Sequence, residues 1–134
     1  MSPTKWFCGI LLACSLLGFI GCDLCENETL SIVAAPNGRV NAVLFTRSCG
    51  ATTGVGTHIS VLPAGVTLPN QSGNTFVADS DHGRVPTGTK GELSVQIRWL
   101  SNSKLLIIYP EGSRLFHSAD VEDDIHIEYR KSTP

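Results

Sequence analysis

Residues 92–99 have the sequence ELSVQIRW, in which polar and apolar side chains alternate strictly. The apolar residues are Leu93, Val95, Ile97 and Trp99. Successive side chains of an extended chain point to opposite faces, so a period of two is typical of a β-strand with one face on a core and one in water. We therefore predict a strand over 92–100 in which the apolar set is buried and Glu92, Gln96 and Arg98 are exposed.

The same alternation recurs on both sides of this segment. Residues 124–130 repeat it, and residues 55–62 form a third such face that leaves His58 and Ser60 on the wet side. Residues 40–45 and 105–109 are apolar on both faces, as expected for central strands. Strands are predicted at 30–34, 39–46, 55–62, 74–79, 92–100, 104–109 and 124–130.

Turn residues separate these strands. Asn37-Gly38 favours a tight hairpin between 30–34 and 39–46, because both residues tolerate a positive φ. Residues 63–73 and 80–91 are predicted to be irregular, and no helical periodicity occurs after the N-terminal segment. The expected fold is all-β: a single compact antiparallel domain after an N-terminal signal helix, with a sandwich, a blade-like meander and a partly open barrel as the possible architectures.

The first twenty-two residues have the organisation of an export signal. Lys5 precedes a run of about fifteen uncharged residues, 6–20, which is shorter than the roughly 20 residues that span a membrane. The run ends at Gly21-Cys22, which resembles a bacterial lipobox; Cys14 belongs to a second, poorer candidate. The resemblance implies a lipoprotein signal peptide at 1–21 and a lipid-anchored domain at 22–134; an ordinary secretory signal and an uncleaved anchor are the alternatives.

The residue after Cys22 bears on the location of such a lipoprotein. In enteric lipoproteins an aspartate at this position is associated with retention in the inner membrane, so Asp23 implies a periplasmic domain on that membrane. The expected location is therefore the bacterial cell envelope, with the domain facing the periplasm.

With Cys22 acylated, Cys25 and Cys49 form an even pair in an oxidising compartment. We predict a disulfide between them, with Cα atoms about 4.4–6.8 Å apart. Closing this loop stabilises the fold by roughly 3 kcal/mol in the chain-entropy model. A metal site formed by these cysteines and a histidine lacks the paired spacing of zinc sites.

Several short stretches between residues 35 and 110 resemble sequences of known proteins. Residues 35–39 (APNGR) resemble the hairpin of a propeller blade, although a single blade is far short of a propeller. The other stretches are residues 49–54 (CGATTG), 57–62 (THISVL), 76–83 (FVADSDHG), 97–100 (IRWL) and 105–109 (LLIIY). Together they resemble small bacterial lipoproteins that carry a domain of unknown function. The resemblance implies a bacterial envelope protein, and it transfers no activity.

Asp79, Asp81 and His82 form the densest group of side chains that can bind a metal ion or act as an acid or base. Two carboxylates and an imidazole in this spacing are a weak candidate for a ligand or metal site, or for a base and its orienting partner. Asp and Ser also favour turns, which Gly83 would complete. We favour the turn and predict no metal, cofactor or catalytic residue. His58, His117 and His126 are expected at the surface, and residues 49–54 are expected to form a turn tied by the disulfide.

Charge narrows the classes of function. Without Lys5 the chain has nine basic and twelve acidic residues, a net charge of −3, which argues against a nucleic-acid partner. The expected function is a membrane-anchored lipoprotein with a binding or structural module that is not an enzyme. Its partners would be the membrane, through lipid on Cys22, and an envelope protein or small ligand. The alternatives are a metal-dependent enzyme using Asp79, Asp81 and His82, and an inhibitor or immunity-like protein.

Overall fold

The computed structural model describes residues 24–50 and 52–133, so the predicted signal peptide and Cys22 lie outside the described residues. Nine strands and no helix occur in these two ranges. The strands are β1 (Glu26–Ala34), β2 (Val40–Ser48), β3 (Gly56–Pro63), β4 (Phe76–Asp79), β5 (Gln96–Ser101), β6 (Lys104–Pro110), β7 (Arg114–Ser118), β8 (Val121–Glu122) and β9 (Ile125–Ser132). Within the described ranges, no helix is both long and apolar enough to cross a membrane.

The strands form two sheets. The first has the order β1-β2-β3-β4-β7, and the second has the order β5-β6-β9-β8. All neighbouring strands are antiparallel except β6 and β9, which are parallel. This exception arises because the chain leaves the second sheet after β6, adds β7 to the first sheet, and then returns.

One core joins the two sheets face to face. Its largest fully buried side chains include Ile59 and Phe76 from the first sheet and Leu105 and Ile107 from the second. The Phe76 ring lies 5.5 Å from the ring of Tyr109, between centroids. The fold is therefore an all-β sandwich in one domain, which confirms the predicted fold class and excludes the meander and the barrel as its architecture.

A second, smaller core covers the outer side of the first sheet. Here Val43, Phe45 and Leu62 are buried under Leu68, which belongs to the irregular segment 64–73. We call this segment the strap. The Asn27 side-chain amide holds it to β1 by donating to the carbonyls at 69 and 71, at 3.1 and 2.9 Å. The strap shields part of the outer side of this sheet from solvent.

The strand predictions are largely confirmed. The hairpin at 37–38 pairs β1 with β2 as predicted, with a positive φ at Gly38 but not at Asn37. On the face predicted to be buried, Leu93 is buried but Val95, Ile97 and Trp99 are only half-buried; on the opposite face Gln96 and Arg98 are exposed as predicted, but Glu92 is half-buried. The strand predicted over 92–100 is shorter, because Leu93 pairs only through an isolated bridge to Thr87. The short strands β7 and β8 were not predicted.

The disulfide prediction is also confirmed. Cys25 and Cys49 are bonded, and they extend the β1–β2 register just beyond the Glu26–Ser48 pair. Their Cα atoms are 3.8 Å apart, closer than the predicted range. The disulfide thus fixes the start of β1 to the end of β2.

Candidate functional site

Asp79, Asp81 and His82 lie in a turn, as predicted. Asp79 ends β4, and its Oδ1 accepts a hydrogen bond from the Asp81 backbone N–H at 2.9 Å. Asp81 and His82 both have positive φ, 49° and 57°, which the following Gly83 continues. The turn is closed by Ser80, whose Oγ accepts from the Gly83 N–H at 3.0 Å.

The Asp79 carboxylate is already engaged by a cation. Arg114 on β7 donates from Nε to Oδ1 at 3.1 Å and from Nη2 to Oδ2 at 2.5 Å. The Arg114 hydrogen bonds hold the pKa of Asp79 below its usual value. His82 Nε2 lies 3.3 Å from Arg114 Nη1, so the imidazole also faces the guanidinium. A metal ion at Asp79 would have to displace this ion pair.

No metal-binding arrangement appears elsewhere in residues 24–50 and 52–133. These ranges contain no group of three or more His, Cys, Asp or Glu side chains placed to hold one ion. The structure therefore gives the hypothesis of a metal site at Asp79, Asp81 and His82 no converging ligand set.

His58 corrects a prediction. It was expected on the wet face of β3 together with Ser60, but the two residues are only 6% and 3% exposed. The alternation along β3 is right, and His58 does point away from the main core; the strap then folds over it. The ring packs on Phe45, with centroids 5.3 Å apart, and Nδ1 accepts from the Gly73 N–H at 3.0 Å.

The environment of His58 fixes its protonation state. Burial, and secondarily the positive charge of Arg47, lower the pKa of His58 from 6.5 to about 4. The imidazole is therefore neutral at pH 7. Because Nδ1 accepts the Gly73 hydrogen bond, the ring proton is on Nε2. His58 thus presents one oriented N–H donor.

This donor faces a cleft of about 480 Å³ on the outer side of the first sheet, which we call the His58 cleft. Its lining includes Arg47, Gly56, Ser72, Asp79, Arg114 and Phe116. Within the described residues, His58 Nε2 has no hydrogen-bond partner, although every fully enclosed side-chain nitrogen and oxygen there has one. Nε2 is therefore reached from the cleft. Gly56 leaves that approach open, since a Cβ there would lie 2.6 Å from Nε2.

An exposed aromatic ring forms one rim of the cleft. Phe116 is 61% exposed, and the Arg114 guanidinium carbon lies 5.0 Å from its ring centroid. A β-bulge near this point shifts the register between β4 and β7, and bulges commonly redirect side chains. The Arg114–Asp79 pair thus orients both the turn at 79–82 and this rim.

Ser72 and His58 are the residue types of a catalytic dyad, but His58 is not placed or charged to act as a general base for Ser72. Ser72 Oγ lies 3.3 Å from His58 Nδ1, whose lone pair already accepts the Gly73 N–H. A general base works best with a pKa near the operating pH, and a pKa of about 4 makes this imidazole a weak base at pH 7. The geometry suits His58 as a hydrogen-bond donor.

The predictions for the two other histidines and for the turn at 49–54 are confirmed, but the His58 cleft was not predicted. His117 and His126 are exposed, as predicted. Within residues 49–54, the Thr53 N–H donates to the Gly50 carbonyl at 3.3 Å, so the turn beside the disulfide is confirmed. Neither the burial of His58 nor the Arg114–Asp79 pair has a local signal, because both depend on segments distant in sequence.

Comparison with known proteins found no matching protein-family model, no matching curated protein and no matching solved structure. The resemblance over residues 35–110 to small bacterial lipoproteins therefore stays a prediction.

Proposed function

We propose that the protein is a membrane-anchored lipoprotein of the bacterial envelope, with lipid on Cys22 and a β domain that is a binding module. Its ligand occupies the His58 cleft. One observation supports this site above the others: a buried, neutral imidazole directs an N–H without a protein partner into a cleft. Few but precisely placed polar groups on a rigid scaffold are typical of ligand sites.

The rigidity of the donor supports binding. His58 lies on a central strand, its ring packs on Phe45, and its Nδ1 is held by the Gly73 amide. An oxygen acceptor on a ligand would meet this N–H without further ordering of the side chain, which lowers the entropic cost of binding. The arrangement favours a ligand that offers an oxygen acceptor beside an apolar group for Phe116.

The disulfide supports export of the domain independently of the cleft. The Cys25–Cys49 disulfide is typical of oxidising compartments such as the periplasm. The N-terminal signal and Cys22 supply the anchor in this proposal, and two or more acyl chains give stable attachment where one does not.

The anchor is tested by metabolic labelling with palmitate. We expect label in the wild-type protein and its loss in Cys22→Ser, with the precursor accumulating; Cys14→Ser is the matched control and should keep the label. Label that persists in Cys22→Ser and disappears in Cys14→Ser would contradict the assignment.

The cleft is tested by placing a photo-crosslinking amino acid at position 116 in the intact cell. Position 121 on β8 is the control, because Val121 is 49% exposed but lies in the other sheet. We expect an adduct from position 116 that is absent from position 121 and reduced by His58→Phe. Identical adducts from both positions would argue against a site at the cleft.

The same experiment separates the alternatives. A protein adduct of defined mass from position 116 would favour the inhibitor or immunity-like hypothesis. The metal-dependent enzyme hypothesis predicts binding of zinc, calcium or manganese by calorimetry that Asp81→Ala abolishes. Because Arg114 engages the Asp79 carboxylate, we expect no such binding.

A further inference from the structure

The outer side of the first sheet, together with the strap, forms a continuous surface that we call the outer face. It contains two clefts, one on each side of the strap: the His58 cleft and a groove beside β1. Three large apolar side chains protrude from it: Ile32 (61% exposed), Val66 (52%) and Phe116 (61%). Other large apolar side chains of the described residues are also exposed, and two of them, Leu100 and Val121, lie in the other sheet. The outer face differs in that its protruding apolar side chains line two clefts, as expected for an interaction surface.

The outer face is poor in charge. Residues 49–78, which include β3 and the whole strap, contain no Asp, Glu, Lys or Arg in thirty positions. The charged side chains that line the two clefts are Glu26, Arg47, Asp79 and Arg114, which sum to zero. The other sheet is rich in charge of both signs: it has the acidic residues 120–124 beside β8 and exposed Arg98, Lys104 and Arg130. The outer face is therefore the side on which few charged groups must lose water when it meets a membrane surface.

The position of the anchor favours the same face. Cys25 lines the groove beside β1 and is fixed to β2 by the disulfide. Cys22 precedes it by three residues, and an extended chain spans at most about 3.6 Å per residue. A lipid attached at position 22 would therefore be joined to Cys25 by a tether of at most about 11 Å. A lipid on Cys22 would hold this edge of the outer face at the bilayer surface.

We infer that the outer face docks on the same bilayer that holds the lipid anchor, with Ile32, Val66 and Phe116 at the boundary between headgroups and acyl chains. This inference rests on the proposed lipidation of Cys22. It also specifies the ligand of the His58 cleft: the docked face presents His58 Nε2–H to headgroup oxygens. Because the outer face has little charge, such docking would depend on the apolar area that it buries.

The test measures the depth of two introduced tryptophans in the full-length, lipidated protein reconstituted in vesicles. Val66→Trp places the probe on the outer face, and Val121→Trp places it at similar exposure on the other sheet. The vesicles contain phospholipids brominated on the acyl chain near the headgroup, and the wild-type spectrum is subtracted. We expect Val66→Trp to shift to shorter wavelength and lose most of its added emission, and Val121→Trp to be unaffected.

Flotation with the vesicles separates the two levels of the proposal. Protein that does not float lacks the anchor, which would overturn the proposed lipidation and this inference together. If the Val66→Trp protein floats but its added emission is not quenched, the anchor is kept and docking is overturned. Equal quenching at both positions would overturn the assigned orientation. Floating, unquenched protein that crosslinks to itself through the outer face would assign that face to a second copy and overturn the membrane as its occupant.

Discussion

The buried imidazole of His58 makes a quantitative prediction about pH. The group has a pKa of about 4 in the folded protein and 6.5 in the unfolded chain. Between these values the unfolded chain binds a proton that the folded protein excludes, so acid favours unfolding. The contribution of His58 to stability is full above pH 6.5 and is lost progressively as the pH falls towards 4.

The magnitude follows from the two pKa values. Each tenfold change in proton affinity corresponds to about 1.4 kcal/mol, so the complete effect is about 3 kcal/mol. Between pH 7 and pH 5 the free energy of unfolding should fall by about 2 kcal/mol on account of this one residue. Solvent screens this effect little, because His58 is only 6% exposed.

The assay is urea unfolding of the disulfide-bonded protein at pH 5, 6, 7 and 8. His58→Gln removes the titrating group and keeps an acceptor for the Gly73 amide. From pH 7 to pH 5, the free energy of unfolding of this variant should therefore fall by about 2 kcal/mol less than that of the wild type. His126→Gln is the matched control, because His126 is exposed, and should retain the wild-type slope. Equal slopes for wild type and His58→Gln, or a His58 pKa near 6.5 by NMR, would refute the reasoning.

Three further predictions concern stability. Replacing both Cys25 and Cys49 by serine should lower the free energy of unfolding by about 3 kcal/mol, since a 24-residue loop is no longer closed in the unfolded chain; an unchanged urea midpoint would contradict this. Gly56→Ala should cost about 1–3 kcal/mol, because its Cβ would lie 2.6 Å from the imidazole Nε2, whereas Gly54→Ala meets nothing within 4 Å. Equal melting temperatures for these two variants would count against that geometry. Tyr129→Phe removes a hydroxyl that lies 2.7 and 3.2 Å from two main-chain carbonyl oxygens, and calorimetry should show a loss of about 1–3 kcal/mol; an unchanged free energy of unfolding would contradict this.

Local patterns were sufficient for most strands, because a period of two is determined by neighbouring residues alone. The Asn37-Gly38 hairpin and the turn that opens at Asp79 were predictable for the same reason: both depend on residues that favour turns. Strand β7 has no such pattern, since all five of its residues are exposed at the edge of the sheet. Its position came only from pairing with β4.

The candidate site shows most clearly which features local sequence patterns predict and which depend on distant segments. Alternation and cysteine pairing were enough to predict that His58 points away from the main core, that Cys25 pairs with Cys49, and that the domain is all-β. The cover of the strap over His58 and the contact of Arg114 with Asp79, 35 residues away, became visible only in the folded chain. The parallel pairing of β6 and β9 likewise had no signal in the sequence. The physical reason is range: alternation and turn preference act between neighbours, whereas burial, charge pairing and a lowered pKa depend on what distant segments bring to the same place.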